Sequence, residues 1–263
     1  MTELNLDYIA SRLEGLEETI IHKLIDRAQW RANDAAYAAG QSGFAGEDSR
    51  SLLELRLLYH EEMDAKFGRF CVPEERPFSK NLPKPQRAVN IPETGLYIKN
   101  FDRVNLTQSI LRSYLFLLPN ICPAGDDGQY GSSVEHDVYA LQAIARRIHF
   151  GALYVAESKF RADADDYKKL IAAKDADALL KKLTRKNVED KIIARVRDKV
   201  KSAQAKINKS VRNALNPSVI ITYYADFLIP VTKQGQILYL MNRATTSSEA
   251  AGENSAGEGS ERG

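Results

Sequence analysis

The 263-residue sequence has few cysteines, little net charge and no long apolar run. Its two cysteines, Cys71 and Cys122, have neither metal-binding spacing nor a disulfide framework, which suits a reducing compartment. Basic and acidic residues nearly cancel, 37 against 35, which argues against a surface for nucleic acid. The longest apolar run, near 113–119, is too short to span a bilayer, and the N-terminal segment lacks the features of a secretory signal. We therefore expect a cytoplasmic protein that binds neither nucleic acid nor membrane.

Common catalytic motifs are also missing. The chain has no phosphate-binding GxxxxGK[ST] loop, no HExxH and no CxxC, so no metal site is expected. Its four histidines are scattered along the chain: His22, His60, His136 and His149. We interpret His149, which lies in an apolar segment, as a hydrogen-bonded core histidine.

Apolar residues recur at helical spacing through most of the chain, which predicts an all-α fold. Helices are expected over 7–38, 49–69, 100–117, 133–160 with a continuation to 173, 175–184, 187–214 and 216–243. Five prolines between 71 and 94 predict a loop there. The run VIITYYADFLIP (219–230) is ambiguous between strand and helix. A helical domain over 1–243 is expected to precede a disordered tail over 244–263, which is small and polar.

One stretch raises a question of its own. RRIHFGALYVAESKF (146–160) is apolar between two arginines at one end and a lysine near the other. The charges either hold an anion inside the protein or mark the exposed ends of a core helix.

Several segments, in order along the chain, resemble a known family. They are YIASRLEGLEETIIHKLIDRAQW (8–30), AKFGRFCVPEERPF (65–78), GDDGQYGS (125–132), GSSVEHDVYALQAIARRIHFGALYVAESKF (131–160), NVEDKIIARV (187–196) and IPVTKQGQILYLMNR (229–243). Together they are similar to the all-helical, eukaryote-type chorismate mutases of the AroQ class, found in fungi and plants. The resemblance implies a single-domain helical bundle that forms a homodimer.

The resemblance also implies an activity, the Claisen rearrangement of chorismate to prephenate in phenylalanine and tyrosine synthesis. This shikimate-pathway isomerase needs no cofactor, covalent intermediate or proton transfer. It must hold a dianion in a compact shape and stabilise the charge that grows on the breaking ether oxygen.

Five residues match the family's catalytic positions. By resemblance, Arg147 binds a carboxylate of the substrate, and Lys159 donates hydrogen bonds to the ether oxygen and a carboxylate. Glu189 accepts a hydrogen bond from the ring hydroxyl. Thr232 and Gln236 match a threonine and a donor to the ether oxygen. The alternatives are exposed helix charges for Arg147 and Lys159, a first-turn helix acid for Glu189, and a solvated face for the last two.

Two departures concern the cations. The family's first helix carries a substrate-binding arginine where this chain has Ala10, and Arg12 lies about 200° away round an ideal helix. Arg185 replaces a family asparagine, and is either a replacement cation or a surface charge. Ala10, together with the twelve-residue spacing of Arg147 and Lys159 described next, keeps open an alternative, a catalytically weakened interaction or regulatory protein.

A further departure is the spacing of Arg147 and Lys159, which are twelve residues apart where the family has eleven. One extra residue rotates the lysine by about 100° in an ideal helix. Helices commonly absorb such an insertion as a π-bulge, and Gly151 makes the backbone permissive. We therefore predict a bulge or kink within 149–156.

Family members are often controlled by aromatic amino acids at the dimer interface. Gly131 and Ser132 match the effector-binding Gly-Ser, and Arg69 matches an arginine that contacts the effector. Glu135 stands where the fungal pattern has a threonine linked to activation by tryptophan. The resemblance therefore implies an allosteric site for tyrosine or tryptophan.

Overall fold

Helices make up the regular structure of residues 4–244, the part of the chain that this computed structural model describes. No strand occurs in that part, where an isolated bridge pairs Ile98 with Arg243. The all-α prediction is therefore confirmed, whereas the predicted tail lies, apart from Ala244, outside the described residues. The α-helices are α1 (Leu6–Arg27), α2 (Leu52–Lys66), α3 (Thr107–Ile121), α4 (Tyr130–Phe150), α5 (Ala156–Ala162), α6 (Ala164–Ala172), α7 (Ala176–Leu183), α8 (Lys186–Ala203), α9 (Pro217–Tyr223) and α10 (Ile229–Met241).

Two segments of π-helix interrupt this series. Gly151–Val155 joins α4 to α5, and Tyr224–Leu228 joins α9 to α10. The ambiguous run 219–230 is thus helical throughout. None of the described helices is both long enough and apolar enough to cross a bilayer.

The first helix is shorter than the sequence predicts. It is capped by Asn5, whose side chain accepts from the backbone of Asp7, and it ends at Arg27 instead of residue 38. The guanidinium of Arg27 donates to backbone carbonyls just after the helix, including those of Trp30 and Ala32. These bonds satisfy carbonyls that would otherwise continue the helix, so the chain leaves α1 there.

A buried ion pair ties α1 to α4. Nε of Arg27 lies 2.5 Å from Oδ1 of Asp137, and both side chains are fully buried. The hydroxyls of Tyr37 and Tyr114 donate to the same carboxylate at 2.7 Å. Because all its partners are present, the pair fixes how the two helices cross in the main core.

The helix predicted over 187–214 ends at Ala203. The side chain of Gln204 binds the backbone N–H and carbonyl of Leu215, which closes 204–215 into a loop. The next helix begins after Asn216, whose side chain accepts from Ser218. This loop returns the chain to the core so that α9 packs against α8.

Two adjoining clusters of buried apolar residues form the core. The larger is built mainly from α1, α3, α4, α8 and α9, and the smaller from the π-helical turn 151–155, α5, α7 and α10. The segment 146–160 runs from one cluster into the other, which explains why it is apolar between its charged ends.

Candidate active site

A cavity of about 420 Å³ lies between α1, the α4–α5 junction, the start of α8 and α10. All five predicted catalytic residues line it. Six cationic and three acidic side chains face it, and most of the other lining side chains are apolar. The cavity therefore has a positive balance inside apolar walls, where charge interactions are stronger than in water.

Arg147 projects from the last turn of α4 and is only 3% exposed, so it is not the exposed helix charge of the alternative interpretation. Its Nη1 donates to Oγ1 of Thr232 at 2.9 Å, and its Nη2 lies 3.9 Å from Oε1 of Glu17. Its Nε is buried, and residues 4–244 offer it no acceptor. Thr232 donates in turn to the carbonyl of Leu228, which fixes its hydroxyl to receive Arg147. Two nitrogens of the guanidinium thus face protein oxygens, whereas Nε has no partner among the described residues.

The predicted bulge is present. Gly151–Val155 form a turn of π-helix between Arg147 and Lys159, and both side chains line the one cavity. The wider turn accommodates the extra residue and returns Lys159 to the face that carries Arg147. Gly151 itself has ordinary helical φ and ψ, −64° and −36°. Its role is close contact and not backbone freedom, because a Cβ there would lie 2.8 Å from Cγ2 of Thr232.

Lys159 is half-buried on α5, and its Nζ donates to the carbonyl of Leu183 at 2.7 Å. Burial and the positive charge of Arg185 lower the pKa of Lys159 to about 8, against the opposing effect of Glu189. The ammonium of Lys159 therefore loses its proton in the mildly alkaline range.

Thr232 and Gln236 stand one turn apart on α10 and are 7% and 5% exposed, so they do not form a solvated face. Nε2 of Gln236 donates to the carbonyl of Gly151 at 3.3 Å, and its second N–H remains available for the cavity. Glu189 lies in the first turn of α8 and pairs with Lys233 at 3.0 Å. It is both a first-turn acid and a cavity residue, so the two interpretations of it are compatible.

The sequence reasoning missed a second layer of charges. Glu17, fully buried on α1, receives two 2.8 Å hydrogen bonds from Arg195 of α8 and lies near Arg147. A signal for it exists, because Glu17 follows Ile9 and Leu13 at intervals of four and so occupies a core position of α1. Lys233 was also missed, although it adjoins Thr232.

Ala10 lines the cavity and supplies only a methyl group. Arg12 does not line it, and its charge acts on Tyr154 elsewhere. Arg185 is exposed yet borders the cavity.

His149 is a core histidine, as predicted. It is fully buried, its Nε2 accepts from the backbone of Leu106 and its Nδ1 faces the carbonyl of Ala145. Burial lowers its pKa to about 3, so it is neutral and outside the chemistry of the site.

The predicted effector residues do not meet within one chain. Arg69 donates to Asp64, Glu75 and Gln142. Gly131 and Ser132 are exposed in the first turn of α4. Gln142 lies about 16 Å further along that helix at 1.5 Å per residue.

Comparisons with known proteins agree on one family. The chain is 33% identical to chorismate mutase of Schizosaccharomyces pombe, covering 92% of this chain and 97% of that protein. It is 35% identical to chorismate mutase 2 of Arabidopsis thaliana, covering 91% and 93%. None of the family models compared with the chain matches it.

Solved structures give the same result. The fold matches Aro7p chorismate mutase of Candida albicans in complex with L-Trp, with a TM-score of 0.84 and 33% identity over 91% of this chain and 92% of that one. It also matches AtCM1 with phenylalanine in its allosteric site, with a TM-score of 0.81 and 34% identity over 92% and 97%. Since both relatives exceed 30% identity over nearly their whole length, this chain belongs to the family of fungal and plant chorismate mutases.

Proposed function

We propose that this protein is an active chorismate mutase, which rearranges chorismate to prephenate for phenylalanine and tyrosine synthesis. The observation that carries the proposal is the cavity in which all five predicted residues meet between apolar walls. The reaction breaks and makes bonds within one molecule, so it requires positioning and charge stabilisation and no nucleophile.

Each side chain has a role that follows from its contacts. Arg147 binds a substrate carboxylate, and its Nε is the guanidinium nitrogen for which the described residues supply no acceptor. A guanidinium suits this task since its donors match the geometry of a carboxylate. Lys159 and the amide of Gln236 donate to the ether oxygen, where negative charge develops in the transition state.

Glu189 accepts from the ring hydroxyl of the substrate. Its pairing with Lys233 at 3.0 Å holds the carboxylate at the wall of the cavity. The apolar lining excludes water around these groups and so strengthens each hydrogen bond to the substrate.

The alternative, a weakened regulatory member of the family, loses one of its two supports. The twelve-residue spacing no longer separates Arg147 from Lys159, because the π-helical turn accommodates it. Ala10 remains as the other support.

The test is the loss of chorismate absorbance on addition of purified protein. We expect turnover by the wild type and a loss of most activity in Lys159→Ala. A wild type that leaves chorismate unchanged would contradict the proposal and favour the alternative. The matched control is Lys168→Ala, which truncates a lysine that is 65% exposed on α6.

We also propose a homodimer with an effector site for tyrosine or tryptophan at Arg69, Gly131 and Ser132. Their separation within one chain suits a site completed by a second protomer. Exposed Tyr59 on α2 and exposed Phe67, which directly follows that helix, supply apolar surface for such an interface. Sedimentation should give the dimer mass, and calorimetry should detect tyrosine or tryptophan binding accompanied by a change in mutase activity. A monomer, or no binding at millimolar concentration, would contradict these proposals.

We further propose a cytoplasmic location, which two free cysteines, one exposed and one buried, are compatible with. Recovery of the mutase activity in an organelle fraction instead of the cytosol would contradict it.

A further inference from the structure

The cavity contains cations that the protein itself leaves without partners. Of the six that line it, four bind side chains or carbonyls of the protein, as described above. The remaining two are Arg185 and Lys191, whose side chains have no hydrogen bond or ion pair within residues 4–244. A dianionic substrate has two carboxylates, and Arg147 accounts for one.

Arg185 stands beside Lys159. It immediately precedes α8 and lies two residues after Leu183, whose carbonyl holds Nζ of Lys159. After burial, the charge of Arg185 is the largest cause of the lowered pKa of Lys159. Such an effect falls off with distance, so the two charges share one end of the cavity. Neither Lys191 nor Arg147 has this effect.

The part of the cavity wall formed by α1 provides no cation that could bind the second carboxylate of the substrate. Its lining residues are apolar or acidic, and Ala10 contributes a methyl group. Of the two unpartnered cations, Arg185 acts on Lys159 and Lys191 does not, so Arg185 is the one placed to share a carboxylate with Lys159. Arg185 and Lys159 repel each other, and a carboxylate between them offsets that repulsion with two attractions.

We infer that Arg185 binds one carboxylate of the substrate, as the second member of a clamp whose first member is Arg147. This inference rests on the proposed function and goes beyond it by assigning a substrate contact to the exposed residue that immediately precedes α8. The arrangement compensates for Ala10, because the cation comes from the start of α8 instead of from α1.

The test is Arg185→Gln, assayed for chorismate turnover. We expect kcat/KM to fall about tenfold, the lower end for a hydrogen bond between charged groups because the side chain is exposed. The loss should lie mainly in KM, and Arg185→Lys should recover part of it. The matched control is Lys186→Gln, the next residue along, which removes the same charge from outside the cavity and should keep the wild-type KM.

A second readout separates binding from a structural role. The charged groups that act on Lys159 are Arg185, Glu189 and Lys233. Removing the first raises the pKa of Lys159, so the alkaline limb of the rate profile should move to higher pH in Arg185→Gln. Weaker binding combined with a wider alkaline range is a signature that general damage would not produce.

An unchanged KM in Arg185→Gln overturns the inference, whatever the pH profile does. If the wild type itself does not convert chorismate, the proposed function fails separately. Calorimetry with prephenate then decides the role of Arg185. Weaker prephenate binding by Arg185→Gln than by Lys186→Gln supports it, and equal binding overturns it.

Discussion

The close approach of α10 to the π-helical turn makes Gly151→Ala a severe test of the site geometry. A Cβ atom on residue 151 would lie 2.8 Å from Cγ2 of Thr232. Two carbon atoms in ordinary contact need about 3.5 Å, so Thr232 must retreat by about 0.7 Å. Thr232 accepts the 2.9 Å hydrogen bond of Arg147, so the retreat displaces the proposed carboxylate-binding group.

The magnitude follows from two effects. Overpacking of this kind costs about 1–3 kcal/mol of folding stability. A misplacement of about 1 Å in a catalytic group can cost about a hundredfold in rate. We therefore expect kcat/KM to fall by about ten- to a hundredfold and the free energy of unfolding to fall by about 1–2 kcal/mol.

The assays are chorismate turnover and urea unfolding. Gly15→Ala is the matched control, because no atom lies within 4 Å of a Cβ at that exposed position of α1. It should leave kcat/KM unchanged and stabilise the protein by about 0.5–1 kcal/mol. Adding Thr232→Ser to Gly151→Ala removes the clashing methyl, keeps the hydroxyl and should restore most of the activity. A single variant with wild-type kcat/KM, or a double variant no better than the single, would refute this account of the contact.

Three further predictions concern charge. The cationic form of Lys159 is the active one and its pKa is about 8, so kcat/KM should fall as pH rises through that value; a flat profile to pH 10 would contradict the role of Lys159. In Gln236→Glu, activity should fall as pH rises from acid to neutral, because a carboxyl donates only when protonated whereas an amide donates at any pH. An unchanged pH–rate profile would show that Gln236 is not the donor. Asp137→Asn should lower the free energy of unfolding by about 3–5 kcal/mol, because it leaves the buried charge of Arg27 uncompensated. Asp165→Asn, which alters a carboxylate that is 94% exposed, should change stability little, and equal losses in the two variants would contradict the structural role of the buried pair.

Local sequence arithmetic predicted the most consequential irregularity of the fold. The twelve-residue spacing of Arg147 and Lys159 demanded a bulge, and Gly151–Val155 supplies it. The second π-helical segment, Tyr224–Leu228, left no comparable trace. It falls in an apolar, aromatic run whose periodicity fits neither helix nor strand, so the sequence could not predict which of the two would form.

Tertiary contacts explain the other errors. The end of α1 depends on the side chain of Arg27, which binds both the following carbonyls and Asp137, 110 residues away. Nothing local marks that turn. Likewise Glu17 and Arg195 meet across 178 residues, so the layer of charges behind Arg147 emerges only when α1 packs on α8.

The most direct test of the central claim is a crystal structure of the protein with prephenate bound. The account predicts prephenate in the cavity between α1, α8 and α10, with a carboxylate oxygen within hydrogen-bonding distance of Nε of Arg147 and the second carboxylate beside Arg185. Prephenate bound elsewhere, or bound in the cavity with Nε of Arg147 still lacking an acceptor, would contradict the claim that this cavity clamps the dianion.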